Sequence, residues 1–208
     1  CCVFFRVLEG PALLLGAACY LSLSTVGQVF LSFQWDTLLV ETLVVASFVA
    51  GWGLRAEEDL EPSWTGLWLQ RWLCFRLLFF GGLVKLLSGD ESWRDGSAMG
   101  FHYVTQPLPN PLSWYAHHLP TWWHSLEGAV TLGLEIILPV IMVFGRWPRA
   151  IVWLGASLLM AALFLTGNYG FFQLLSLVLC FSLLDDGFLG KSRLVEPVGP
   201  SRFGLGAA

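Results

Sequence analysis

The sequence predicts an all-α protein, a polytopic bundle of five to six transmembrane helices with one long loop on the lumenal or exterior side. Of its 208 residues, 56% are hydrophobic and 12% are charged, whereas soluble domains carry roughly 25% charged residues. Two stretches, Pro11 to Trp35 and Ala150 to Leu184, contain no Asp, Glu, Lys or Arg. Since a bilayer core needs about 20 apolar residues per helix, and since lipid cannot hydrogen-bond an open backbone, both stretches are expected to form membrane helices.

The first three hydrophobic segments follow one another with short polar breaks. The first runs from about Gly10 to Phe33. Gln34 to Asp36 make such a short turn that the second segment, Thr37 to Leu54, is expected to lie antiparallel to the first. The acidic stretch Arg55 to Pro62 then leads to a third segment, Trp64 to Leu87.

The second half of the chain begins with the connection Ser88 to Trp123, called the long loop below, which is too rich in Pro, His and Asn to span. A fourth segment follows from Leu126 to Phe144, and the basic turn Arg146 to Arg149 ends it. Gly167 to Gly170 interrupt the last apolar run and leave two short pieces. These pieces predict either two tilted helices or one helix with a re-entrant segment.

Charge distribution predicts the orientation and the partners. If every segment crosses, most Arg and Lys residues fall on one side, which the positive-inside rule makes cytoplasmic, so the long loop faces the lumen or exterior.

Residues 1–190 are predicted to form the transmembrane core, and 191–208 a linker toward a C-terminal domain of a longer protein. A net charge of −4 and scattered basic residues give no reason to expect nucleic acid as a partner. Membrane lipids are the expected surroundings.

Ionisable residues inside a span are costly and are expected to find partners. Asp36 and Glu41 lie five residues apart on the second segment, and Arg71 and Arg76 have the same spacing on the third. The simplest interpretation is an ion-paired polar seam between these two helices, joined by Glu135 of the fourth segment. The seam is either structural or lines a functional cavity.

Lys85 allows two interpretations. It follows eight uncharged residues that include the small pair Gly81 and Gly82. A lysine near the membrane boundary can extend its ammonium to water, or it can turn inward as a pairing or chemical group. If Lys85 turns inward, Glu135 can be its partner. Glu135 can pair with Arg76 instead.

The long loop is not predicted to bind a metal. The spacing of its histidines matches neither HExxH nor a Cys/His finger, and no cysteine pair forms a CxxC motif. No phosphate-binding glycine loop or GxSxG elbow occurs, so no cofactor is expected. The histidines are expected to hydrogen-bond and fix the shape of the loop. They are His102, His117, His118 and His124.

Five strings resemble the lipase maturation factor family, in that family's order. They are GQVFLSFQWDTLLVE (Gly27 to Glu41), RWLCFRLLFFGGLVKL (Arg71 to Leu86), WRDGSAMGFHYVTQPLPNPLSWYAHHLP (Trp93 to Pro120), TGNYGFF (Thr166 to Phe172) and LLDD (Leu183 to Asp186). Val104 stands where the family usually has an acidic residue in HYETQ, so no carboxylate role is carried over there. The candidate positions in these strings are His102, Tyr103, Gln106, Asn110, Trp114, His117, His118, Asn168, Asp185 and Asp186.

The resemblance implies a membrane protein without enzymatic activity that helps secreted lipases fold and assemble into active dimers. It would lie in the endoplasmic reticulum membrane of a eukaryote or the cytoplasmic membrane of a bacterium. Client lipases are the implied partners, contacted through a lumenal domain that follows the membrane core.

Two alternatives remain. GGLVKL, with Trp93 and Gly96 beyond it, is faintly similar to vitamin K-dependent gamma-carboxylase. That similarity implies a membrane enzyme acting on a lipid- or quinone-linked substrate, with Lys85 as the catalytic base beside His102. The other alternative is a structural scaffold that takes no part in client folding.

Overall fold

The computed structural model describes residues 7–53, 63–106, 110–185 and 187–188, and the regular structure within them is helical. The first half contains α1 (Glu9–Gly27), which a tight turn extends through Gln28–Leu31, then α2 (Gln34–Ser47) and α3 (Trp64–Leu87). The long loop contains α4 (Ser92–Asp95), α5 (Ala98–Val104) and α6 (Pro111–His117). The second half contains α7 (Thr121–Phe144), α8 (Arg146–Thr166) and α9 (Phe172–Cys180).

Four of these helices are long and apolar enough to cross a membrane. They are α1 with its extension (Glu9–Leu31), α3, α7 and α8. Two shorter helices, α2 and α9, complete the bundle, and α9 continues as an apolar turn to Leu183. The prediction of an all-α polytopic protein is confirmed, and four long and two short helices are compatible with five to six spans.

The helix boundaries follow local capping signals. α3 starts at the predicted Trp64 because the Ser63 hydroxyl accepts the Gly66 N–H at 3.4 Å, an N-cap that satisfies a free backbone donor. α7 begins at Thr121, five residues before the predicted Leu126, directly after Pro120. The expected break after α8 is present, because α8 ends at Thr166 and α9 begins at Phe172.

α1 and α2 form the predicted antiparallel hairpin, which Asp36 stabilises. The Asp36 carboxylate accepts the Phe33 N–H at 3.0 Å at the start of α2 and the Tyr20 hydroxyl of α1 at 2.5 Å. At the other end of the hairpin the Gly10 N–H donates to the Gly51 carbonyl at 3.0 Å. Both ends of the hairpin are therefore closed by polar contacts.

The apolar core lies where α2, α3, α7, α8 and α9 meet. Leu78 of α3, Val152 of α8 and Leu183 after α9 are buried there. Cys74 and Cys180 are also buried, with their sulfur atoms 3.6 Å apart as free thiols. Many large apolar side chains point outward instead, as lipid-facing positions in a membrane bundle do.

The long loop folds into short helices that pack on the bundle. α5 contacts both α6 and α7, and α6 contacts α8. The Ser125 hydroxyl of α7 donates to the Gly96 carbonyl at 3.3 Å, and Gly96 has a φ of +80°, a conformation that glycine adopts at little cost. The loop thus covers a region between α3, α7 and α8.

Candidate functional site

A cavity of about 290 Å³ lies between the long loop and the bundle. α3 contributes Gly81 and Lys85 to its wall, α7 contributes Glu135, and the loop contributes His102. Aromatic side chains from three parts of the chain complete the wall, namely Trp35, Trp93, Tyr169 and Phe172. The cavity therefore combines a mostly apolar lining with a few polar groups, which is the usual composition of a small-molecule site.

Lys85 turns inward and pairs with Glu135. Its ammonium hydrogen-bonds both oxygens of the Glu135 carboxylate and lies 5.3 Å from the centroid of the Trp93 ring, within the range of a cation–π contact. The Lys85 and Glu135 side chains are 26% and 10% exposed. Of the two interpretations of Lys85, the structure shows the inward one, and Glu135 pairs with Lys85 instead of Arg76.

A local widening of α7 presents Glu135 to the cavity. Residues Gly133–Ile137 form a π-helical turn, in which the Leu138 N–H donates to the Gly133 carbonyl five residues back. Pro139 lies four residues after Glu135 and cannot donate the usual hydrogen bond to its carbonyl. The missing bond explains why the helix widens here, and such turns are frequent at functional sites.

Gly82 brings α3 and α7 close enough for this ion pair. A Cβ atom at Gly82 would lie 2.5 Å from Cγ1 of Ile136 and 2.8 Å from Cβ of Glu135, so any side chain there would push the two helices apart. Gly81 has open space at the same point because it faces the cavity. Gly82 therefore allows the two helices to pack closely, whereas Gly81 leaves room for the cavity.

His102 belongs to a hydrogen-bond network that joins the long loop to the break after α8. Its Nδ1 atom lies 3.2 Å from the Tyr169 hydroxyl and 3.3 Å from the Gln106 amide nitrogen. Gln106 donates to the Tyr169 hydroxyl at 3.1 Å and accepts the Asn168 N–H at 3.3 Å. Burial lowers the pKa of His102 below its ordinary 6.5, with Lys85 adding to the effect and Glu127 opposing it.

A second network lies beside the first and centres on Glu127. The carboxylate accepts the Tyr103 hydroxyl at 3.0 Å and the Trp123 indole N–H at 2.6 Å, and it lies 3.3 Å from His124 Nδ1. Burial, followed by the neighbouring Glu127, raises the pKa of Tyr103. His124 also lies 3.2 Å from the His117 carbonyl through its Nε2 atom. Glu127 is a charged residue of the predicted fourth segment that was not among the candidate site residues, although Trp123 and Glu127 have the four-residue spacing of helical neighbours.

The predicted polar seam needs a correction. Arg76 pairs with Glu41 at 3.1 Å between α2 and α3, as the spacing suggested. Arg71 instead pairs with Asp185 at 3.1 Å and donates to the Ser182 carbonyl at 2.9 Å. α9 packs against both α2 and α3, so the segment that follows α9 faces Arg71.

Asp36, another predicted member of the seam, accepts hydrogen bonds from Tyr20 and from the backbone at the start of α2 instead of pairing with an arginine. Arg149 joins the Arg71 cluster, because it contacts the second oxygen of Asp185 at 2.6 Å. Among the described residues, three separate ionic groups therefore replace the one predicted seam, at Glu41, at Asp185 and at Glu135.

The remaining loop residues have local contacts. Asn110 caps α6 by accepting the Leu112 N–H at 3.0 Å, and the Trp114 ring packs against the tilted His118 ring with centroids 4.3 Å apart. Asn168 accepts the Gly170 N–H at 3.3 Å, while Asp186 lies outside the described residues. Within the described ranges, no group of three or more His, Cys, Asp or Glu residues is placed to hold a metal.

Apolar helices of spanning length, a bundle core and a folded loop over a small cavity define a polytopic integral membrane protein. The family model for the lipase maturation factor transmembrane domain matches residues 3–191. The chain belongs to the lipase maturation factor family, so the resemblance seen in the sequence is confirmed.

Proteins named lipase maturation factor 2 and lipase maturation factor 1 are similar to this chain. Lipase maturation factor 2 of Xenopus tropicalis is 45% identical over 80% of this chain and 24% of the relative. Lipase maturation factor 2 of Gallus gallus is 41% identical over 91% of this chain and 26% of the relative. Lipase maturation factor 1 of Homo sapiens is 38% identical over 87% of this chain and 32% of the relative.

The chain therefore spans about a quarter to a third of the length of these relatives. Their names describe maturation factors, in agreement with the expectation of a protein that is not an enzyme. No solved structure matches the chain significantly.

Proposed function

We propose that this chain is the membrane core of a factor that assists the folding and dimer assembly of secreted lipases in the endoplasmic reticulum membrane. Family membership supports this proposal, together with the names of relatives that the chain matches over most of its own length. Client lipases are contacted through a lumenal domain beyond this chain. The membrane core anchors that domain and presents the long loop beside it.

The observation that carries the proposal is the attachment of the long loop to the bundle. Gln106 contacts Tyr169 and the backbone of Asn168, and Glu127 of α7 contacts Tyr103 of α5. Side-chain hydrogen bonds of this kind hold a polar loop in one conformation. The loop thereby supplies a rigid surface next to the membrane on which a following domain and its client can be positioned.

In this proposal the Lys85–Glu135 pair has a structural role and is not a catalytic base. Both carboxylate oxygens of Glu135 engage the ammonium, which is the arrangement of a protonated lysine held by its counter-ion. Lys85→Arg is therefore expected to keep the factor active, whereas Lys85→Met is expected to impair it by leaving Glu135 without a partner. Loss of activity with both substitutions, at normal membrane insertion, would support a catalytic lysine.

The proposal is tested by the specific activity of a secreted lipase, measured as activity per amount of lipase protein. Cells lacking the full-length gene are expected to secrete lipase of lower specific activity, and wild-type protein is expected to restore it. Gln106→Leu, which removes the contacts to Tyr169 and Asn168, is expected to restore it only partly. Thr105→Val is the matched control because Thr105 is exposed and its hydroxyl, among the described residues, donates to the Phe101 carbonyl of its own helix. Unchanged specific activity in the deletion would contradict the proposal.

A further inference from the structure

The long loop changes in composition after its first turn. Residues 88–95 hold four charged side chains, whereas residues 96–126 contain no Asp, Glu, Lys or Arg. A stretch of that length in a soluble domain, where roughly a quarter of the residues are charged, would carry about seven or eight. The second part of the loop therefore lacks the composition of a surface that faces water.

The helices in this uncharged part bury polar side chains and expose aromatic ones. Trp114 and Tyr115 of α6 and Trp122 of α7 are 60%, 66% and 63% exposed, and they are called the aromatic face below. Ser113 and His124, which lie next to them in the sequence, are only 4% and 6% exposed. A surface in contact with water has the opposite arrangement, with its apolar side chains buried and its polar ones outside.

The buried polar side chains have partners inside the protein. The Ser113 hydroxyl donates to the Asn110 carbonyl at 2.6 Å. His124 lies 3.3 Å from the Glu127 carboxylate and 3.2 Å from the His117 carbonyl through its two ring nitrogens. A surface in contact with lipid needs this arrangement, because lipid offers polar groups no substitute for the hydrogen bonds of water.

The aromatic face continues into the surface of a helix that is long enough to span the membrane. Trp122, Leu126 and Val130 follow one another at four-residue intervals on α7, and all three are exposed. Side chains at this spacing lie on one side of a helix, so an apolar stripe leads from the aromatic face along α7. A protein-binding surface instead has an apolar centre enclosed by a polar rim. The continuity with α7 therefore favours lipid as the partner of the aromatic face.

From these observations we propose that the aromatic face lies in the membrane–water interface and binds phospholipid in the adjacent leaflet. Trp and Tyr suit this position, because their rings are apolar and each carries one polar group that can meet the headgroups. The charged turn 88–95 stays in water. The leaflet holds the outer side of the loop, while the Glu127 network holds its inner side. This inference goes beyond the proposed function and does not depend on a client lipase.

The test introduces the photoreactive amino acid p-benzoylphenylalanine into the full-length protein at one position at a time. It replaces Tyr115 of the aromatic face in the first variant and Leu158, an exposed apolar residue of α8, in the second. In the third it replaces Glu91, which is exposed in the charged turn. Illumination takes place in the membranes of the expressing cells, where lipid, other copies of the protein and client lipases are all present. Mass spectrometry then identifies what each position has captured.

The variants at Tyr115 and Leu158 are expected to form phospholipid adducts in similar yield. The variant at Glu91 is expected to form severalfold fewer, because benzophenone inserts into C–H bonds, which lipid chains supply and water does not. The photoreactive residue is aromatic, so it preserves the character of the side chain at Tyr115.

A second substitution tests whether the aromatic face itself holds the loop against the leaflet. With the photoreactive residue at Tyr115, Trp122→Gln is expected to lower the yield of phospholipid adducts severalfold, since it removes an interfacial aromatic ring. Trp147→Gln is the matched control, because Trp147 is equally exposed but lies at the start of α8, outside the long loop. It should leave the yield unchanged.

A phospholipid yield at Tyr115 as low as that at Glu91 would overturn the proposal. Capture at Tyr115 of the protein's own lumenal domain, of a second copy or of a lipase, in place of phospholipid, would also overturn it. An equal yield with Trp122→Gln and Trp147→Gln would contradict the role of the aromatic face. Lipase maturation is measured separately by the specific activity of the secreted lipase, so the two proposals can fail independently.

Discussion

The arginines of α3 show how the burial of a residue decides the importance of its ion pair. Arg71 has a side chain that is 6% exposed and shares the Asp185 carboxylate with Arg149. Arg76 and Glu41 are 42% and 35% exposed. Removing one member of either pair leaves an uncompensated charge, but Asp185 balances two largely buried guanidinium groups whereas Glu41 balances one partly exposed group. The two α3 arginines are therefore expected to differ in their effect on stability.

Asp185→Asn is expected to lower the free energy of unfolding by about 1–3 kcal/mol, because it removes the negative charge that pairs with two guanidinium groups. The value lies below that of a fully buried pair since the Asp185 side chain is 33% exposed. Unfolding by titration with a denaturing detergent measures it. Glu41→Gln is the matched comparison and should destabilise the protein less than Asp185→Asn, because it removes the partner of one guanidinium group instead of two. Equal effects of the two substitutions would contradict the assignment of Asp185 as the centre of the cluster.

His102 makes stability depend on pH in a direction that its burial determines. Its pKa lies below 6.5 in the folded protein, mainly through burial, so on acidification the unfolded chain binds the proton first. Stability is therefore full above pH 6.5 and is lost as the pH falls from there through the folded pKa. Thermal unfolding in detergent from about pH 8 to about pH 5 should show a steeper decline in wild type than in His102→Phe. Parallel profiles would show that His102 contributes no such linkage.

At the level of helices, the contact between α3 and α7 depends on one glycine. Gly82→Ala places a methyl group 2.5 Å from Ile136 and is expected to destabilise the protein by about 1–3 kcal/mol, the usual effect of overpacking. Gly81→Ala on the next residue meets nothing within 4 Å and should be neutral or slightly stabilising, because alanine favours helix. The difference in unfolding midpoint between the two variants is the measurement. A similar midpoint for both would mean that the helices can separate freely at Gly82.

The helices also show what the sequence could predict and what it could not. The long charge-free and apolar stretches predicted α1, α3 and α8 because bilayer thickness fixes how many apolar residues a helix needs. The pairing of Arg71 could not be predicted, since it depends on where α9 packs and not on spacing within a helix. The π-helical turn at Glu135 has a cause in Pro139, but one proline is compatible with a kink, a break or a widened turn.

The sequence predicted some residues of the candidate site but not all of them. Lys85, His102 and Glu135 were singled out by their chemistry in apolar or loop surroundings, and the structure brings all three to one cavity. The role of Tyr169 was not predicted, although it lay in the string that resembled the family. It reaches His102 across 67 residues, a separation at which only the packing of the long loop against α8 and α9 determines contact.

For the whole molecule, the orientation in the membrane decides which compartment meets the long loop. The distribution of Arg and Lys predicts that the loop faces the lumen, the side on which a secreted client would fold. Asp95→Asn creates the glycosylation acceptor Asn-Gly-Ser in the loop without inserting a residue. Asp95 is exposed and accepts the Ser97 N–H at 2.8 Å, a bond that the asparagine oxygen can also accept.

Expressed in mammalian cells, Asp95→Asn is expected to gain one N-linked glycan, seen as a mass shift that an endoglycosidase removes. The control places an acceptor in the acidic stretch 55–62, where Glu57→Asn with Asp59→Ser gives Asn-Glu-Ser. This stretch is predicted to be cytoplasmic, so the control should stay unmodified because glycan transfer occurs only in the lumen. The reverse pattern would place the long loop in the cytoplasm. A loop on that side could not support a lumenal domain and its client, so the same result would count against the proposed maturation of lipases.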